Sequence, residues 1–218
     1  MRIGIIGAGH IGGTLARRLA ALGHEVALAN SRGPATLEAL AAETGARAAT
    51  AARAADGADL VVVTIPLRRV ADLDPEIFKG RRPGAPIVDT MNYYPGRDGR
   101  IGEIEDGLAE SRWVERRIGQ PVVKAFNNIY FQHLLELGRP AGDPRRIALP
   151  VAGDDPGTKA KVMALVDELG FDAVDAGSLD DSWRQQPGTP CYTQDLGAEE
   201  LRRALASASP ERGPKWRA

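Results

Sequence analysis

The chain opens on RIGIIG, a short apolar run with the length and continuity of a strand buried on both faces. HIGGTLARRLAALG follows with helical period and stops at Gly23. EVALAN predicts a second strand. PATLEALAAETG predicts a helix with proline near its start and glycine at its end. ARAAT predicts a short third strand and AARAADGA a helical turn or two. DLVVVTIP is the clearest central strand, an apolar run ended by Pro66. APIVDTM and PVVKAF continue the series, with a helix expected over 129–137. RIALPVAG and FDAVDAG predict two late strands around the helical stretch PGTKAKVMALVDELG. AEELRRALASA predicts the last helix, and SPERGPKWRA a frayed tail.

Strands alternating with helices predict an α/β fold. Its core is a doubly wound, mostly parallel sheet covered on both faces, with a small C-terminal helical extension. The expected division is 1–177 for the sheet domain and 178–218 for a small lobe and tail. The weakest coupling is expected around 177–190, where the strand–helix rhythm stops.

Composition narrows the field. The 218 residues suit one full-sized α/β domain, and 43% apolar residues can fill its core. A net charge of −1 gives no general pull toward nucleic acid. One cysteine, Cys191, excludes an internal disulfide framework and a cysteine-rich metal site. The three histidines have no metal-ligand spacing. No apolar run is long enough for a membrane helix, and the start does not read as a signal peptide. A soluble, cytoplasmic protein is expected.

The chemistry begins at Gly7-Ala8-Gly9-His10-Ile11-Gly12, a GxGxxG pattern between a strand and a helix. Gly7 permits the turn, Gly9 lets backbone approach a pyrophosphate, and Gly12 allows close helix–strand packing. The phosphates would meet free amides at the helix start. His10 in this loop suits stacking or a phosphate-side role better than proton transfer. In such a unit the second strand usually ends on a carboxylate that holds the ribose of NAD. Here that place reads Ala29-Asn30-Ser31-Arg32. Ser31 can donate a hydroxyl and Arg32 a guanidinium fork to a 2′-phosphate, so the reading favours NADP. The bland alternative is an Asx turn before Pro34 with Arg32 solvated.

Other candidates lie at later strand ends. Thr64, Ile65 and Pro66 either wall the coenzyme site or simply terminate the strand. Asp89, Met91, Asn92, Tyr93 and Tyr94 precede a Pro-Gly turn; either they orient the nicotinamide or a flat substrate, or Asn92 caps local backbone and the tyrosines pack a loop. Asn127 and Asn128 repeat the pattern one strand later. His24 and His133 read as structural or surface residues. The pairs Asp154-Asp155 and Asp180-Asp181 read as helix caps. Trp183, Arg184, Gln185, Gln186 and Tyr192 form either a ligand contact or a rigid lobe. No GxSxG elbow supports a hydrolase.

MRIGIIGAGHIGG, LGHEVALANSR, LVVVTIP and the long block from Leu149 to Leu179 together resemble the deazaflavin-dependent NADP reductases, from Met1 to about Ser182. These enzymes have a Rossmann-like fold and move hydride between NADPH and coenzyme F420. VVKAFNN is similar to the reductase domains of six-transmembrane metalloreductases. The resemblance implies coenzyme contacts at His10 and Ile11, a 2′-phosphate site at Ser31 and Arg32, and nicotinamide-side contacts at Ile65 and Pro66. It also implies a homodimer. KAFNN and the segment WRQQPGTPCY depart from the archaeal members at the acceptor side.

The expectation is therefore an NADPH-dependent oxidoreductase acting on a small planar acceptor, with F420 first. A flavin or other small-molecule reductase is the enzymatic alternative. A non-catalytic NADPH-sensing module is the alternative of another class. No side chain is assigned as catalytic, and no nucleic-acid or membrane partner is expected.

Overall fold

Strand β1 (Arg2–Ile6) forms the middle of a six-stranded parallel sheet in the computed structural model, which describes residues 1–218. The chain then runs α1 (His10–Ala21), β2 (Glu25–Ala29), α2 (Glu38–Thr44), β3 (Arg47–Ala48), α3 (Ala51–Ala55) and β4 (Leu60–Val63). It continues through β5 (Ile87–Asp89), α4 (Pro95–Asp98), α5 (Gly102–Glu105), α6 (Glu110–Ile118), β6 (Val123–Lys124) and α7 (Phe131–Glu136). The last elements are β7 (Ala148–Val151), α8 (Pro156–Glu168), β8 (Asp172–Asp175) and α9 (Ala198–Ala206). Strand order is β3-β2-β1-β4-β5-β6, a doubly wound α/β arrangement. β7 and β8 pair in parallel beside it, joined to β6 by one antiparallel bridge between Lys124 and Ala152.

The apolar runs take the interior, as their continuity predicts. Every residue of β4 is buried, and Ile3, Ile5, Leu28 and Val62 lie in one core with α1 and α8. Val61, Val63, Ile87 and Trp113 face a second core on the other side. No helix is long and apolar enough to cross a membrane.

Several segments depart from the expected pattern. The helix expected from Pro34 begins as a 3-10 turn, Pro34–Leu37, and becomes α2 only at Glu38. Leu37 at the junction is buried in the core. Helix α6 was not foreseen, although Glu110 in its first turn, Arg116 and Arg117 in its last, and left-handed Gly119 at its end are helix signals. The segment 177–190 is firmly tied rather than weakly coupled. Ser178 and Asp181 form a capping box, and Arg112 bridges Asp154 and Asp180 at 2.6 Å each. Of the acidic pairs, Asp155 caps α8 through Thr158 N–H, whereas Asp154 accepts from Leu179 N–H. The tail is docked, not frayed: Arg212 reaches buried Glu110 at 2.7 Å, and Trp216 packs on Tyr94 and Tyr192. A buried carboxylate and an aromatic platform hold a polar segment that has no periodic signal of its own.

Candidate functional site

The glycine loop is built by close contact. Gly7 follows β1 at φ +116°, and a Cβ there would stand 2.1 Å from Thr64 O. A Cβ on Gly12 would stand 1.9 Å from Gly7 O and 2.8 Å from Thr64 Cγ2. Both positions therefore require glycine so that α1 can lie against β1 and β4. Gly9 differs: a Cβ there would meet nothing within 4 Å. It is the N-cap of α1, with no side-chain cap and no acid in the first turn. The positive end of α1 is thus open to an anion.

Beside it, the end of β2 forms a tight polar turn. Asn30 Oδ1 accepts from Arg32 N–H at 2.9 Å, and Asn30 Nδ2 donates to Thr36 Oγ1 at 2.9 Å. This is the Asx turn of the bland reading, yet it leaves Arg32 exposed, with its guanidinium in no ion pair or hydrogen bond. Gly7, Gly9, Ser31, Arg32, Thr64, Ile65 and Pro66 line one cleft of about 460 Å³ at the carboxyl ends of β1, β2 and β4. Open α/β sheets bind ligands in that position. The uncapped helix start, the missing Cβ at Gly9 and the free Arg32 fit a dinucleotide carrying a 2′-phosphate. A larger hollow of about 650 Å³ lies at the opposite end of the sheet around Arg2, Glu25 and Arg47. It has neither glycine loop nor helix start, so volume alone does not identify the site.

His10 turns from this cleft to stack on Phe131, centroids 4.3 Å apart and planes at 16°. Both border a second, more open hollow on the α1–α7 side of the loop. Ile11 packs against the main core, half-buried. His24 sits between the chain's amino group and Glu168, and His133 pairs with Asp195 at 2.7 Å.

Met91, Asn92 and Asn127 lie deeper. Met91 is in the second core. Asn127 Nδ2 donates to Asn92 Oδ1 at 3.0 Å and to Gln185 O at 2.7 Å, while Gln185 Nε2 donates to Asn127 Oδ1 at 2.9 Å. Asn92 Nδ2 donates to Asn127 O at 2.8 Å. The structure therefore brings Asn92 and Asn127 together as partners of each other rather than as lining of the cleft. They are held beside a strained backbone: Phe126 is buried at φ +61°, a region bulky residues rarely adopt. Both amide atoms of neighbouring Asn128 are buried without a protein partner.

A buried charge cluster supports these strand ends. Asp89 Oδ2 accepts from Ser111 Oγ at 2.7 Å and lies 3.2 Å from Lys124 Nζ, both charged side chains being fully buried. Lys124 also donates to Met91 O. Glu110 accepts from Tyr93 N–H at 3.0 Å. Burial raises the Glu110 carboxyl above the usual range, and Lys124 and Arg212 partly offset the rise. Above the cluster the Tyr94 and Tyr192 hydroxyls share a hydrogen bond, and burial pushes the Tyr192 phenol up. Of this assembly, Asp89, Tyr93, Tyr94 and Tyr192 were candidates in the sequence; Glu110, Lys124 and Arg212 were missed. Arg69 and Asp72, which line the same cleft as Arg32, were not among the sequence candidates.

The chain resembles known proteins in the parts that build this geometry. The family described as NADP oxidoreductase, coenzyme F420-dependent, matches residues 2–93. Protein YjhV of Escherichia coli (strain K12) is 45% identical over 74 residues, 34% of this chain and 54% of YjhV, so the match spans about half of that relative. The structure of hypothetical protein SMa0349 from Sinorhizobium meliloti is 30% identical with TM-score 0.76, covering 90% of this chain and 95% of that one. A proposed F420-dependent NADP-reductase from Arthrobacter sp. FB24 is 27% identical with TM-score 0.67, covering 82% and 86%.

Proposed function

The chain belongs to the Rossmann-fold NAD(P)-binding oxidoreductases related to the F420-dependent NADP reductase family, and on that premise we propose that it transfers hydride between NADPH and a planar deazaflavin of the F420 class. The observation that carries the coenzyme choice is the uncommitted guanidinium of Arg32. It stands at the end of β2, where no carboxylate repels a 2′-phosphate. Ser31 and Arg32 hold that phosphate, and the amides of Gly9 and the first turn of α1 take the pyrophosphate. Thr64, Ile65 and Pro66 form the apolar wall toward the nicotinamide. Bound NADPH supplies the hydride, so the protein's task is close positioning of two flat rings rather than acid–base chemistry.

The segment 178–218 completes the acceptor side in this reading. Its support is the meeting of Tyr192 and Trp216 with Tyr94 beyond the end of β5. The test is NADPH oxidation, followed by loss of its near-ultraviolet absorbance, with F420, FMN, FAD and a ferric chelate as acceptors. Turnover with F420 well above the others supports the proposal. Turnover confined to another acceptor overturns the acceptor. Tight NADPH binding with no turnover on any of them overturns the enzyme reading in favour of a sensing module.

A further inference from the structure

Two cations, not one, line the coenzyme cleft. Arg32 comes from the end of β2, and Arg69 from the segment after β4 that borders the same hollow. The placement of Arg69 follows from local geometry. Leu67–Asp72 is a 3-10 turn, and three residues per turn puts positions three apart on one face. Leu67 and Val70 share the inner face and are fully buried in the second core. Arg69 and Asp72 share another face, and Arg69 Nε lies 3.0 Å from Asp72 Oδ2. The buried leucine and valine thus fix a turn whose exposed Arg–Asp pair faces the cleft.

Asp72 is the one carboxylate lining that cleft, and Arg69 neutralises it. The lining holds two arginines and one aspartate, a net charge of +1. A phosphate monoester carries roughly 1.5 to 2 negative charges near neutral pH, so a carboxylate in the same cleft opposes it unless that carboxylate is paired. Without Arg69, Asp72 would present a bare negative charge to it.

We infer that Arg69 is a second specificity-determining residue for the 2′-phosphate of NADP, acting with Arg32 and screening the phosphate from Asp72. The inference rests on the NADP reading of Ser31 and Arg32. Asp72 is the discriminating element: paired, it is silent; unpaired, it excludes the phosphate and leaves NADH, with its neutral ribose hydroxyls, unaffected.

The experiment is calorimetric titration of NADPH and NADH into the full chain and into Arg32→Ala, Arg69→Ala, Asp72→Asn and the Arg69→Ala/Asp72→Asn double variant. Arg69→Ala is expected to weaken NADPH about tenfold, with NADH unchanged. Removing Asp72 as well is expected to restore part of that loss. An equal loss for both coenzymes in Arg69→Ala would assign Arg69 to the shared part of the dinucleotide and overturn the inference, as would no loss for either. If Arg32→Ala itself fails to discriminate between the coenzymes, the underlying NADP reading fails, a result distinct from failure at Arg69 alone.

Discussion

Arg212 Nη2 lies 2.7 Å from Glu110 Oε1, so a residue of the C-terminal tail supplies the counter-charge to a carboxylate with no solvent exposure. The same nitrogen donates to Gln186 Oε1 at 2.8 Å, which ties the tail to 177–190 as well. Breaking a buried pair from one side leaves the other charge stranded, so Arg212→Ala should cost about 3 kcal/mol or more in urea unfolding. Glu110→Gln combined with Arg212→Met should recover much of that loss, because neither charge is then left alone. Additive losses in the double variant would remove the pair as the source of stability.

Glu110 also sets a pH dependence. Its folded carboxyl binds a proton more tightly than an unfolded glutamate does, because of burial. Between those two values the folded state holds the extra proton, so stability falls as pH rises through the interval. Arg212→Ala should steepen that fall by removing one of the groups that favour the charged form. Glu110→Gln should flatten it. Unfolding midpoints at stepped pH measure both, and an unchanged slope in Glu110→Gln would assign the dependence elsewhere.

Gly9 and Gly12 should separate binding from folding. Gly12→Ala forces a methyl group into Gly7 O and should lower stability by about 1–3 kcal/mol along with coenzyme affinity. Gly9→Ala meets no protein atom within 4 Å. It should keep the wild-type melting temperature while weakening NADPH, because the methyl group occupies space the pyrophosphate needs. Equal melting temperatures for both variants would contradict the packing assigned to Gly12.

Arg32→Ala should weaken NADPH by about 2 kcal/mol, roughly thirtyfold, with little change for NADH. Dissociation constants for the two coenzymes, measured side by side, decide it. A common loss would take Arg32 off the phosphate.

Lys124→Met should strand Asp89, whose oxygens still accept from Ser111 and from Met91 N–H at 2.8 Å. A loss of about 3–5 kcal/mol is expected, and Asp89→Asn in the same chain should reduce it. Hydrogen exchange at residues 89–93 should rise more than exchange in β2 if Lys124 anchors that loop through Met91 O.

The parts legible in the sequence are those whose cause is local. Gly7, Gly9 and Gly12 announce their turn because each answers to atoms a few residues away or to the strand beside it. Ser31 and Arg32 are read from the end of β2 because chain direction fixes what a parallel strand's carboxyl end faces. Arg69 escaped because its orientation depends on a 3-10 turn, for which the run LRRVAD carries no period-3.6 or period-2 mark. Glu110 and Arg212 escaped for a different reason: each looks like an ordinary surface charge, and their meaning arises only when two points 102 residues apart meet in the interior. Asn92 and Asn127 were legible as polar groups at neighbouring strand ends, but their bonds to each other and to Gln185 were not, because those depend on three distant segments meeting.

The aromatic contact at the tail gives the protein an internal light source. Of three tryptophans, Trp113 is sunk in the second core and Trp183 lies under the Arg184 guanidinium. Trp216 alone sits beside two tyrosine rings, at 6.0 Å from Tyr94 and 6.1 Å from Tyr192, with the Lys215 ammonium over its own ring. Light absorbed by those tyrosines passes readily to an indole at that range, and a cation over the ring alters its emission. Any displacement of the tail from Tyr94 would therefore change colour and brightness together, without a dye and without altering a residue.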